Sequence, residues 1–106
     1  MILKAMATNK IPVPKHRIEN FCKRHQIKRL ALFGSVLRKD FRDGSDVDVL
    51  VEFDSKARIG LIRLSQIESE LSEIIGINVD LNTPDFLSKY YRDQILSDME
   101  VQYDAP

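Results

Sequence analysis

The feature that most limits what this chain can fold into is the interval between Gly34-Ser35 and Asp46-Val47-Asp48. In ALFGSVLRKDFRDGSDVDVLVEF, residues 31–53, one apolar run stops at a Gly-Ser pair. After ten intervening residues an Asp-x-Asp opens the next apolar run. Side chains two apart on an extended chain project to the same side, about 7 Å from one another. Two unit charges 4 Å apart repel by roughly 4 kcal/mol at an effective dielectric of 20. A chain that holds such carboxylates at the root of a buried strand needs something to offset them.

The segment VDVLVEF, Val47 to Phe53, is the clearest strand. Alternation puts Val47, Val49, Val51 and Phe53 on one face, and Asp48, Leu50 and Glu52 on the other, with Asp46 continuing the second face. LALF, Leu30 to Phe33, reads as a short buried strand ending at Gly34. INVDL, Ile77 to Leu81, hides Ile77, Val79 and Leu81 and presents Asn78 and Asp80. A further strand is expected near Glu100 to Tyr103.

Helical periodicity fills the intervals. From Pro14, the positions Ile18, Phe21, Cys22 and His25 form an amphipathic stripe, and proline suits a first helical turn. Leu61, Leu64, Ile67, Leu71 and Ile74 form a second stripe, with Gly76 as its C-terminal cap. Thr83-Pro84 supplies an N-cap and first-turn pair for a last helix carrying Phe86, Leu87, Tyr90, Tyr91 and Ile95. The order α-β-(short α)-β-α-β-α-β predicts an α+β fold, a mixed β-sheet with helices packed on one face. Residues 1–13 read as an irregular, loosely held N-terminal segment and 14–106 as one domain.

At 106 residues the chain allows one modest core. Lys plus Arg and Asp plus Glu both number 16, so no global field favours nucleic acid, and no direct nucleic-acid binding is expected. The single cysteine, Cys22, fits a reducing compartment. MILKAMATNKIPVP lacks the apolar stretch of a signal peptide, and no run approaches spanning length. A cytoplasmic protein without membrane contact is the expectation.

On the predicted polar face, Asp46, Asp48 and Asp80 converge from two neighbouring strands. Three such carboxylates raise one another's pKa values or bind a cation. Hard oxygen ligands suit Mg²⁺, which takes a few carboxylates plus substrate phosphates. Two ions about 4 Å apart can activate a hydroxyl and stabilise a leaving pyrophosphate. Gly34 permits close backbone approach. A short helix opening at Ser35 would turn free N–H groups outward for phosphate, with Arg38 and Lys39 one turn on. Taken singly, a Gly-Ser is ordinarily a turn and an Asp-x-Asp a solvated strand start; the joint occurrence carries the signal. The four glycines spell neither a G-x-G-x-x-G nor a P-loop. Cys22 and His25 read as core or stripe residues, and Tyr90 and Tyr91 as helix packing.

Gly34-Ser35, ten residues, then Asp46-Val47-Asp48 and an apolar strand resembles the signature of the DNA polymerase β-type nucleotidyltransferase superfamily. The length and the tail INVDLNTPDFLSKYYRDQIL resemble its smallest branch, the minimal nucleotidyltransferases (MNT), many of them antitoxins paired with a HEPN-domain toxin. The resemblance implies Mg²⁺-dependent transfer of AMP from ATP to a hydroxyl, with release of pyrophosphate. It implies Asp46, Asp48 and Asp80 as metal-ligating and catalytic carboxylates, Gly34 and Ser35 as holders of the triphosphate, and Arg38 beside them. It also implies a HEPN-type RNase partner in a hetero-oligomer, with a tyrosine of that partner as acceptor. The family often writes G-S-x-A-R-G; here Leu37 and Lys39 replace the Ala and Gly. Two other readings stay open: a non-catalytic antitoxin that masks its partner, and a transferase for a small molecule or RNA end that works with a separate binding subunit.

Overall fold

The computed structural model describes residues 11, 13–38 and 45–106. The elements run α1 (Lys15–Arg24), β1 (Ile27–Phe33), a single 3₁₀ turn (Gly34–Leu37), β2 (Val47–Phe53) and α2 (Leu61–Ile75). They continue with β3 (Val79–Asn82), a second 3₁₀ turn (Pro84–Phe86), α3 (Lys89–Asp98) and β4 (Glu100–Asp104). The sheet order is β3-β2-β1-β4. β1 runs antiparallel to both β2 and β4, while β2 and β3 are parallel, so the sheet is mixed as expected.

One face of the sheet carries the core. Leu30 and Leu32 of β1, Val47, Val49 and Val51 of β2, and Val79 and Leu81 of β3 pack with Ile18, Phe21 and Cys22 of α1 and with Ile67, Leu71 and Ile75 of α2. The β2 alternation places three valines on this face, where β-branched side chains fit a pleated surface. Burial pushes the Cys22 thiol up to about 12, which leaves it an inert core residue. Arg24 and His25, at the end of α1, both reach Glu70 of α2. His25 also stacks edge-on against Phe21, with ring centroids 4.9 Å apart.

Five expectations need correction. Pro14 is the N-cap of α1 and not a first-turn residue, its carbonyl accepting from Ile18 N–H at 2.9 Å. The second helical stripe is rotated, so Ile75 is buried while Leu61 is 73% exposed. Thr83-Pro84 opens only the 3₁₀ turn; α3 starts afresh behind Ser88, whose hydroxyl accepts from Tyr90 N–H. Tyr90 and Tyr91 do not pack into the fold, being 84% and 59% exposed, and no residue of α3 is buried. Residues 1–10 and 12, expected to be loose, lie outside the described residues, but Ile11 and Val13 belong to the core.

β3 is an edge strand, and its free backbone donors are covered from within. Val79 N–H donates to Ser72 Oγ at 2.9 Å and Leu81 N–H to Glu68 Oε2 at 2.8 Å. Side chains of α2 thus occupy an edge that would otherwise template a foreign strand. Gly76 ends α2 in the left-handed region at φ 84°, its N–H donating to Ser72 carbonyl at 2.7 Å.

Candidate active site

The opposite face of the sheet is polar at the end where β1 stops and β2 begins. Register explains why. Phe33 pairs with Asp48, and in the parallel β2–β3 pair Asp48 stands beside Asp80. Val47 N–H, donating to the Asn78 carbonyl at 2.9 Å, anchors that pairing one residue earlier. Asp46 lies just ahead of β2 and is exposed; Asp80 is exposed and Asp48 half-buried. Asp80 is therefore turned toward the other two and not away from them.

The electrostatics agree with the register. Burial first, then the charges of Asp80 and Asp46 and a hydrogen bond shared with Asp80, hold the Asp48 carboxyl above the ordinary carboxylate range. The Ser35 backbone N–H, directed at Asp48, pulls the other way. Among the described residues none of the three carboxylates has a Lys or Arg partner. Nor do any three His, Cys, Asp or Glu side chains form a ready-made metal cage among those residues. The cluster is open to solvent, with two of its members on the surface.

Gly34 closes the site on the β1 side. It sits at φ 77°, a conformation that side-chain-bearing residues rarely adopt. A Cβ there would collide with Asp48 Oδ2 and lie 3.2 Å from its Cγ. The glycine is thus required both by the backbone turn and by the carboxylate pressed against it. Val36, fully buried, pins the turn to the core, and Arg38 N–H donates to the Ser35 carbonyl at 2.9 Å. The short helix expected after Ser35 is one 3₁₀ turn, too short to build a macrodipole, and its Ser35 amide already serves Asp48. Lys39, expected to assist Arg38, lies outside the described residues.

Sequence reasoning missed a cleft adjoining this turn. Gly34 and Arg38 line it on one side, and Tyr91, Gln94, Ile95 and Asp98 of α3 on the other. The signal was present as Tyr91, Ile95 and Asp98 at spacings of four and three, but it reads equally as packing. On the far side of the cluster, Glu68 and Ser72 border the surface around Asp46 and Asp80.

A mixed sheet whose β1 ends in Gly-Ser against an Asp-x-Asp strand, with a third carboxylate in register on the next strand, is the architecture of a nucleotidyltransferase. The nucleotidyltransferase domain family matches residues 15–101, and the chain belongs to it as a nucleotidyltransferase enzyme. The chain is 35% identical over 85 residues to the candidate protein adenylyltransferase MJ0435 of Methanocaldococcus jannaschii, covering 79% of this chain and 88% of that one. Among solved structures it matches a toxin–antitoxin with AMP-PNP at TM-score 0.70 and 17% identity, over 88% of this chain and 75% of that one. It also matches the complex of a tri-AMPylated Shewanella oneidensis HEPN toxin with an MNT antitoxin, at TM-score 0.62 and 17% identity, over 86% and 70% of the two chains. These two likenesses concern the fold. No helix among the described residues is long and apolar enough to cross a membrane.

Proposed function

We propose that the protein is an antitoxin that transfers AMP from ATP to a hydroxyl, a tyrosine of a HEPN-type RNase partner, and so silences it. The observation that carries this reading is the convergence of Asp46, Asp48 and Asp80 without a basic partner among the described residues, beside a glycine that admits no side chain. The relative described as a protein adenylyltransferase, and the likeness to a complex holding an AMPylated toxin, support adenylyl transfer to a protein.

The donor set fits Mg²⁺. It consists of carboxylate oxygens, and one of them, on Asp48, is held in an environment that resists its own ionisation. Because Mg²⁺ is normally held by one or two carboxylates together with phosphates and water, an open cluster is sufficient. When bound, the ions would neutralise the charge gathering on the pyrophosphate as it leaves. Asp46 and Asp48 would hold them, and Asp80 would complete the set. Gly34 lets the triphosphate approach the turn, where the Ser35 hydroxyl can donate to it, and Arg38 offsets its charge. The acceptor hydroxyl forms a bond to the α-phosphorus, the bond from that phosphorus to the pyrophosphate oxygen breaks, and the hydroxyl proton passes to Asp80. Asp80 is suited to this because it is exposed to solvent.

The test is to incubate the protein with ATP, Mg²⁺ and the HEPN-type partner, and to follow the partner's intact mass. Each AMP added gives one discrete mass step, absent with Asp46→Asn or Asp48→Asn. Neutralisation that persists in both variants without a mass change would overturn the enzymatic reading and leave a masking antitoxin. Label on a small molecule or RNA end, and none on the partner, would redirect it to a different acceptor.

A further inference from the structure

We propose that Glu68 and Ser72 of α2 are positioning residues for Asp80: their side-chain oxygens fasten the backbone on either side of it and so hold its carboxylate in register with Asp48. The inference rests on the reading of Asp80 above as the group that takes the acceptor proton, and deepens it. A proton acceptor has to lie within hydrogen-bond reach of the hydroxyl, and a misplacement of about 1 Å can cost on the order of 100-fold in rate. Asp80 is exposed and belongs to a four-residue strand at the edge of the sheet. Among the described residues it makes no ion pair. The backbone of β3 therefore sets where the carboxylate sits.

That backbone is tied on both sides. On one side β3 pairs with β2, with Val79 beside Val47 and Asp80 beside Asp48. On the other, Val79 N–H donates to Ser72 Oγ at 2.9 Å and Leu81 N–H to Glu68 Oε2 at 2.8 Å, so the residues before and after Asp80 both hang from α2. The spacings match. Four residues of helix rise about 6 Å and two residues of strand about 6.6 Å, which lets both bonds form at once.

The two acceptors are themselves fixed. Ile67 and Leu71, the residues just before Glu68 and Ser72, are fully buried in the core. The core thus sets α2, α2 sets β3, and β3 sets Asp80. Glu68 accepts as a carboxylate, and a charge-assisted bond is stronger than a neutral one. Both side chains also border the surface shared by Asp46 and Asp80, so the fastening lies next to the cluster it serves.

The experiment measures AMP transfer to the HEPN-type partner by intact mass, with ATP varied, for Glu68→Ala, Ser72→Ala and Asp80→Asn. Glu68→Gln and Ser72→Thr, which keep an accepting oxygen, run alongside. Glu68→Ala and Ser72→Ala should each lower kcat about 10- to 100-fold, the usual scale for a group that orients a metal-site or catalytic residue. KM for ATP should stay within about twofold, since the lost interaction serves the transition state and not donor binding. Glu68→Gln and Ser72→Thr should recover most of kcat. Hydrogen exchange at the Val79 and Leu81 amides should quicken in the alanine variants alone. Alanine is the best helix former, so these variants should fold, and a melting curve well above the assay temperature verifies this. Wild-type kcat in the folded alanine variants, or a Glu68→Gln protein as impaired as Glu68→Ala, overturns the inference while the reading of Asp80 stands. If Asp80→Asn is fully active, or the wild-type protein transfers nothing, that reading fails and this inference with it.

Discussion

The two ends of the polar sheet face carry similar numbers of carboxylates and treat them in opposite ways. At one end Glu52 of β2 and Asp104 of β4 flank Arg29 of β1, whose guanidinium nitrogens lie 3.3 Å from Glu52 Oε2 and 3.6 Å from Asp104 Oδ1. The second distance is too long for a hydrogen bond, so that contact is electrostatic. At the other end Asp46, Asp48 and Asp80 crowd together with no basic side chain of the described residues between them. Between the two ends, Ala31 and Leu50 are buried and hold the strands flush. A fold that needed only charge balance would have treated both ends alike. The unbalanced end marks where neutralisation is left to a ligand.

The largest effect should come from breaking the unbalanced end. Asp48→Asn should lower AMP transfer on the order of 10³-fold, the scale of several kcal/mol of lost metal-assisted stabilisation. The same change should not lower the melting temperature, because it removes a half-buried charge repelled by two neighbours. An active Asp48→Asn protein, or one that unfolds, would make this end structural, like the other.

Next in size is the response to Mg²⁺ and pH. The folded protein binds a proton at Asp48 more tightly than the unfolded chain does, since the folded pKa is raised. That contribution is present in full below the ordinary carboxylate range and is lost as pH rises through the raised value. At neutral pH the charge on Asp48 therefore destabilises the fold, and a cation that binds it should restore stability. A ligand at 100 times its Kd adds about 2.7 kcal/mol. Scanning calorimetry at pH 7 should show a rise in Tm with Mg²⁺ that Asp48→Asn lacks. An equal rise in both proteins would detach the effect from this cluster.

Arg29→Ala probes the balanced end and should cost less. The partners are partly exposed, with side-chain exposure of 36% for Arg29, 25% for Glu52 and 59% for Asp104, so screening limits the loss to about 1 kcal/mol. Transfer activity should stay near wild type. A large activity loss would mean that the two ends of the face are coupled.

Much of this was legible from sequence where period and spacing agree. The bounds of β2 coincide with the alternating run, and the Asp48–Asp80 pairing follows once two strands share an apolar face and neighbour each other. What escaped depends on which of several compatible partners an apolar side chain finds. Leu50, opposite Ala31 on the nominal polar face, is buried together with it, a burial that alternation alone does not predict. The α3 stripe was assigned to packing because Tyr91 and Ile95 have the right period. Period alone cannot distinguish a face that meets the sheet from one that borders a cleft. Ile11 and Val13 were lost to the prolines around them, which break regular structure without preventing burial.

The smallest effect should be at the start of α2. Leu61 begins the helical stripe by period, yet it and Ile62 are 73% and 78% exposed, because the stripe turns under the sheet only from Leu64 onward. Leu61→Ser should therefore change stability by no more than about 0.5 kcal/mol, as expected of a surface position with no cap or buried contact. Denaturant unfolding at equal protein concentration measures this directly. A cost near that of a buried leucine, about 2–5 kcal/mol for truncation, would mean that α2 packs one turn further toward its N-terminus. The apolar face of the sheet would then extend beyond β3, and the asymmetry between filled and open faces would be smaller than described.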